Sequence, residues 1–261
     1  MRIASLQPSI TITLDALGRT DHLCAITKYC LYALPQLADR NLPILHDSWT
    51  ANTSEITATN PDIVVASVPY RMESLAAVLK ASLPVLTLAP RDLDTIVADI
   101  RLLAALTHAE PEAEVLLRHF NNTLEDARAR TASLPRPTVY CEEWGKPLIH
   151  SQTWVAELVS AAGGTFVGAP GTHTTPEAIA EADPDVLIFA WCGAGNRVPL
   201  SRVIEQRNWR DLRAVRNRQV FCIPDQHLNT PAHTLLDGLA HLAAAIHPDH
   251  VPRPSSLVQL S

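Results

Sequence analysis

Apolar residues fall along this chain in short unbroken blocks, separated by stretches in which they recur every three or four positions. The blocks at 3–6, Leu23–Thr27, 63–66, Val85–Leu88, 138–141, 165–167, 186–190 and 220–223 predict buried strands. A smaller patch near 42–45 predicts another. Between them, helical spacing is found over 10–17, closed by Gly18, over 72–81, 94–106, 154–162 and 234–246, with a polar helical turn at Ser54-Glu55-Ile56. Strands alternating with helices predict an α/β protein whose parallel sheets are covered on both faces.

One helix stands apart by its length. Residues 111–134 open with Pro111, which fits the first helical position, and place Glu112 and Glu114 early and Arg128 and Arg130 late, as the helix dipole favours. Ala113, Leu116, Leu117, Phe120, Leu124 and Ala127 form a single apolar stripe, and Pro135 and Pro137 end the helix. At about 1.5 Å per residue it would reach ~36 Å, enough to bridge two lobes. The flanking halves echo each other: Asn60-Pro61-Asp62 before the strand at 63–66 is matched by Asp183-Pro184-Asp185 before the strand at 186–190. The expected organisation is a lobe over 1–108, a bridging helix over 109–135, a second lobe over 136–248 and an irregular tail over 249–261 marked by Pro252 and Pro254.

Composition narrows the function. The 261 residues are 47% hydrophobic and carry a net charge of −6, shared equally on either side of residue 110, so neither half is a nucleic-acid arm. A basic cluster, Arg197, Arg202, Arg207, Arg210, Arg213, Arg216 and Arg218, is read first as a solvated helix face, then as a patch that could attract an anion or a phosphate backbone, and last as a docking surface for another protein. Five scattered cysteines without a CxxC pair indicate neither a disulfide framework nor a zinc knuckle. No apolar run is long enough to insert in a membrane, and no leader precedes the first strand, so the chain as written is expected in the cytoplasm, or in the periplasm if a leader has been removed. A monomer is expected.

Candidate chemistry lies just past the strand ends, the ligand side of parallel sheets. Tyr29, Trp49, Tyr70, Trp144 and Trp191 all fall there, five of only thirteen aromatic residues. Such rings would offer stacking area to a large flat ligand, with polar loop groups at its rim, or else they pack against one another. Glu142-Glu143-Trp144-Gly145-Lys146-Pro147 is expected to leave two carboxylates on a loop, and Trp191-Cys192-Gly193-Ala194-Gly195 a glycine turn where backbone can approach a ligand. Asp225 and His227 follow the last strand. Cys30, Cys192, Glu142, Glu143, His173, Asp225 and His227 lack metal-ligand spacing, so no resident metal is expected, although Cys30 or His227 could ligate a metal that a ligand brings with it. No hydrolase elbow, zinc-protease or P-loop signature is present.

With these features in place, the chain resembles the helical-backbone substrate-binding proteins of metal-chelate ABC importers, and within them the cobalamin-binding branch. The resemblance is carried by residues 2–11, Ala16-Leu17-Gly18, residues 25–30, the two Pro-Asp strand starts and Ala161-Ala162-Gly163-Gly164. It implies two Rossmann-like lobes joined by one long α-helix, and a non-catalytic protein that holds cobalamin or another metal chelate in the cleft between the lobes. Tyr29, Cys30, Trp49, Tyr70, Trp144, Trp191, Cys192, Asp225 and His227 are the expected ligand contacts. It also implies a docking glutamate on each lobe for an ABC permease, seven residues before the Pro-Asp: Glu177 matches, whereas Ser54 holds the first-lobe position with Glu55 one place along. The competing expectation is an enzyme acting on a corrinoid precursor or small organic acid, with Glu142 or Glu143 as acid/base and Cys30 or Cys192 as nucleophile or metal ligand.

Overall fold

The structure is a computed structural model that describes all of residues 1–261 except Tyr70, Ala81 and Ser261. The chain divides into two compact units, Met1–Arg118 and His119–Ser261.

In the first unit the order is β1 (Ile3–Ser5), α1 (Pro8–Ala16), β2 (Leu23–Thr27), α2 (Lys28–Ala33), β3 (Ile44–Leu45), α3 (Thr53–Ala58), β4 (Ile63–Ser67), α4 (Met72–Lys80), β5 (Val85–Leu88) and α5 (Leu93–Thr107). Its five strands are all parallel in the order β3-β2-β1-β4-β5, so β1 lies at the centre and the strand order reverses between β1 and β4. Ala4, Leu6, Ala25, Val64 and Ala66 pack with Ile56, Leu75 and Val78 into one buried cluster, as expected of strands covered by helices. Pro8 stands in the first turn of α1, and the Asp92 side chain caps α5 by accepting from Thr95 N at 2.8 Å.

Helix α6 (Glu110–Thr131) contains the boundary between the units. Its buried residues Ala113, Leu117, Phe120 and Leu124 are the stripe read from the sequence, with Leu116 and Ala127 partly buried beside them.

The second unit continues with β6 (Thr138–Gly145), β7 (Leu148–His150), α7 (Thr153–Ala161), β8 (Thr165–Phe166), β9 (His173–Thr174), α8 (Pro176–Ala182), β10 (Val186–Phe189), α9 (Leu200–Gln206), α10 (Arg213–Arg216), β11 (Val220–Cys222), α11 (Leu235–Ile246) and β12 (Val258–Gln259). β6, β8, β10 and β11 are parallel, while β7, β9 and β12 run antiparallel to their neighbours, so this sheet is mixed. The α/β class and the parallel first sheet agree with the sequence reading; the antiparallel strands were not anticipated. β7 arises because β6 runs four residues beyond its expected end and turns back through Lys146-Pro147. The tail is not wholly irregular either, since Val258 and Gln259 pair with Cys222 and Phe221 and Leu257 is buried. Its prolines mark breaks correctly, but an edge pairing with a strand far back in the chain has no local signal.

The echo between the halves is physical. Asn60 and Asp183 both adopt left-handed backbone, at φ 50° and 39°, and each is followed by Pro-Asp. Asp62 Oδ2 accepts from Arg2 N at 2.7 Å and Asp185 Oδ2 accepts from Thr138 N at 2.8 Å. In each unit the aspartate thus ties the start of one strand to its parallel neighbour, β4 to β1 and β10 to β6.

Candidate functional site

In the first unit, Tyr29 lies on the opening turn of α2, where the Thr27 side chain accepts from Cys30 N at 3.3 Å. Tyr29 is exposed, its ring edge-on to Tyr32 at 6.2 Å and capped by Lys28 Nζ at 4.9 Å. Tyr32, 74% exposed, stands beside it and was not among the expected contacts; its spacing of three from Tyr29 on a helix was the available signal. Cys30 does not sit on an open loop as expected. One residue on from Tyr29 the helix turns it inward, where it is fully buried with its sulfur accepting from Thr11 Oγ1 at 3.1 Å and within 3.3 Å of Thr27 Oγ1.

Trp49 follows β3 and is half exposed. Asp47 Oδ1 accepts from Trp49 N, Thr50 N and Thr50 Oγ1 at 2.8 to 3.1 Å, which closes a tight turn. Ser48, buried beside it, donates its backbone N–H to Leu6 O and accepts from Arg71 N, tying the segments after β1, β3 and β4 together. Tyr70 lies outside the described residues. Glu55 on α3 accepts from Asn52 Nδ2 and is 2.7 Å from His46 Nδ1, a contact that holds its carboxyl below the usual range.

In the second unit the extension of β6 changes the reading of Glu142. It is not a loop carboxylate but a fully buried strand residue, on the same face as Tyr140 in a stretch of β6, Val139 to Glu142, that is buried on both faces. Arg207 meets it through two bonds, Nη1–Oε2 at 2.7 Å and Nη2–Oε1 at 2.8 Å. Tyr140 Oη donates to Oε2 at 2.6 Å and Trp191 Nε1 to Oε1 at 2.7 Å. With these donors the carboxylate's lone pairs are taken up, as burial of a charge requires. The Arg207 guanidinium lies 4.8 Å from the ring of Trp209 and 5.8 Å from that of Phe189. Burial and the adjacent Glu142 carboxylate push the Tyr140 hydroxyl far above its ordinary pKa.

Trp144 is exposed at the end of β6, its Nε1 donating to Lys146 O at 2.9 Å across the hairpin turn. Trp191 is partly buried and lies against Gly145, where a Cβ would fall inside contact distance of the ring. Glu143 accepts from Gln152 Nε2 at 2.6 Å, and burial raises its carboxyl pKa. Cys192 is exposed as a residue, but its sulfur lies 3.8 Å from Glu143 Oε1 and 3.4 Å from Asn229 Nδ2. Burial of that sulfur and the Glu143 and Asp225 charges push its pKa up to about 12, so it stays a thiol at neutral pH.

The glycine turn is already engaged within the chain. Gly193 and Gly195, both at positive φ, donate their N–H groups to Asp225 Oδ2 and Oδ1 at 2.8 Å each, so Asp225 holds the loop after β10. His227 is mostly covered, stacked on His241 at 5.1 Å with its Nδ1 3.7 Å from Asp237 Oδ2, and burial depresses its pKa. Glu177 is exposed in the first turn of α8. The basic cluster is partly consumed internally: Arg207 by Glu142, Arg213 by Asp183 and Asp185, and Arg210 by Glu205. Among the described residues no group of three or more His, Cys, Asp or Glu could hold a metal ion, and no described helix is long and apolar enough to cross a membrane.

The arrangement is one of ring faces and braced loops, with Glu142 saturated by four donors and Cys192 held as a thiol. The sequence from 3 to 227 matches the model of the periplasmic binding protein family. A curated cobalamin-binding protein of Halobacterium salinarum is 23% identical over 257 residues, covering 94% of this chain and 69% of that one. Among solved structures, a periplasmic heme binding protein from Pseudomonas aeruginosa superposes with a TM-score of 0.87 at 22% identity, covering 100% of this chain and 98% of that one. The periplasmic vitamin B12 binding protein BtuF of Vibrio cholerae superposes with a TM-score of 0.76 at 24% identity, covering 95% and 96%. The chain belongs to the periplasmic binding protein family. It is a binding protein and not an enzyme, which removes the catalytic alternative built on Glu142, Glu143, Cys30 and Cys192.

Proposed function

We propose that this chain is the substrate-binding component of an ABC importer for a corrinoid or related metal chelate, working outside the cytoplasmic membrane. The observation that carries the reading is the set of large aromatic side chains left exposed on strand-end segments: Tyr29 and Trp49 in the first unit and Trp144 in the second. Exposing such rings forgoes the free energy of burying them, and a flat chelate would recover it by stacking. Trp191, with its N–H already bonded to Glu142, adds a partly covered ring face. In the second unit Asp225 serves the ligand surface by bracing the Trp191 loop. The cobalamin-binding relative and the heme- and vitamin B12-binding structures support this class of ligand. Glu177, exposed on α8, is the proposed contact for a permease; Glu55 is its counterpart in the first unit, partly engaged by His46.

Titration of the protein with cyanocobalamin, haem and a ferric siderophore, followed by absorption and calorimetry, tests this. At least one is expected to bind with a spectral change, and Tyr29→Ala or Trp144→Ala should weaken it by about 1 to 3 kcal/mol each for lost ring burial. Silence with all three ligands would remove the reading.

A further inference from the structure

We infer that Glu142 and Arg207 are positioning residues for Trp191, presetting the plane of its ring for the ligand. The inference rests on the reading of Trp191 as part of the ligand-contacting surface.

Trp191 follows β10, immediately before a turn with two positive-φ glycines, a segment with little intrinsic rigidity. Three contacts nevertheless fix it. Its Nε1 donates to Glu142 Oε1 at 2.7 Å, its ring rests on Gly145 in the space a Cβ would need, and Phe189 meets it edge-on at 6.4 Å. Two of the three come from β6, which is hydrogen-bonded to β10, so the ring is referenced to the sheet rather than to its own loop. Below, the Asp225 carboxylate holds the N–H groups of Gly193 and Gly195, and Asn229 Nδ2 donates to Ala190 O at 2.6 Å.

Glu142 is itself held. Arg207 binds both carboxylate oxygens, and the Trp209 and Phe189 rings flank the guanidinium. A buried ion pair is a poor device for stability alone, because desolvating both charges offsets most of their attraction, and apolar residues of the same volume do as well or better. What the pair supplies that apolar residues cannot is a directional acceptor at one point, aimed at the indole N–H. The narrow clearance at Gly145 has the same sense: any side chain there would push the ring out of its plane.

The test uses the full chain labelled with fluorotryptophan, with Trp191→Phe identifying the Trp191 fluorine resonance. Glu142→Gln is expected to displace or split that resonance while leaving the Trp49 resonance in place. It should also weaken binding of haem or cyanocobalamin about tenfold, the scale of one charge-assisted hydrogen bond. In the Trp191→Phe background the same substitution should change affinity less than about twofold, because the interaction it removes is already gone. A folded Glu142→Gln variant with an unmoved Trp191 resonance overturns the inference, as does an equal loss of affinity in both backgrounds. Should Glu142→Gln fail to fold, the paired Glu142→Met/Arg207→Met variant removes the acceptor without stranding a charge and is read the same way. If neither ligand binds the unaltered protein, the ligand reading falls, and the positioning of the ring is decided by the resonance alone.

Discussion

The two units meet the same architectural problem, bracing the segments beyond a central parallel strand, with different chemistry. Between segments the first uses neutral groups, Ser5 Oγ with Thr11 Oγ1 at 2.8 Å, Gln7 Nε2 donating to Pro69 O at 3.1 Å, and Ser48 joined to Leu6 and Arg71 through the backbone, while the Asp47 carboxylate bonds Trp49 and Thr50 within its own turn. The second uses charge: the buried Glu142–Arg207 pair, and the Asp225 carboxylate on the Gly193 and Gly195 amides. Neutral bonds tolerate loss of one partner at modest cost, whereas removing half of a buried pair strands a charge. The exposed rings of the first unit, Tyr29 and Trp49, accordingly rest on local turns, while Trp191 in the second depends on residues far away in sequence.

The largest expected break in this comparison is Arg207→Ala. It leaves Glu142 buried without its counter-charge and should cost the second unit about 3 to 5 kcal/mol. Urea unfolding read by fluorine resonances would place the loss at Trp154 and Trp209, with Trp49 melting as before; a matched shift at Trp49 would show that the two units do not respond separately.

A smaller separation should come from pH alone. Burial holds the pKa values of His150, His227 and His247, all in the second unit, below the ordinary 6.5. Their unfolded forms take up protons first, so the second unit loses stability as pH falls through about 6.5 toward their depressed values. Glu143, raised by burial, opposes this in part. In the first unit Asp99 acts in the reverse direction: burial raises its carboxyl from 3.8 to about 6, so stability is gained as pH falls from about 6 toward about 4. The unfolding transitions of the two units are therefore expected to move apart between about pH 7 and about pH 5, and His150→Phe should flatten the descending one. Parallel movement of both would contradict the assignment. Smaller again is Asp99→Asn, expected to stabilise the first unit at neutral pH by ~1 kcal/mol once solvent screening of this partly buried group is allowed for, as measured by thermal unfolding.

Much of the fold was legible in the chain. Apolar blocks placed β2 and β5 at the expected residues, the stripe from Ala113 to Leu124 marked the buried face of α6, and Pro-Asp announced both β4 and β10. These signals act within a few residues, through caps, turns and periodicity, and so survive without knowledge of partners. The places of Tyr29, Trp49 and Trp191 after their strands were legible for the same reason, whereas Trp144 lies within β6, which runs further than its apolar block.

What only the tertiary structure decided was how side chains on those segments are used. Two adjacent glutamates look alike in sequence; burial of β6 on both faces and an arginine 65 residues away make one of them a buried, saturated acceptor for Trp191. In sequence Cys192 is a candidate nucleophile; in the structure Glu143, Asn229 and Asp225 gather around its sulfur and hold it as a thiol. β12 pairs with β11 across an intervening helix. Each outcome turns on hydrogen bonds and burial between segments distant along the chain, and those are chosen by the packing of the whole unit rather than by any window of residues.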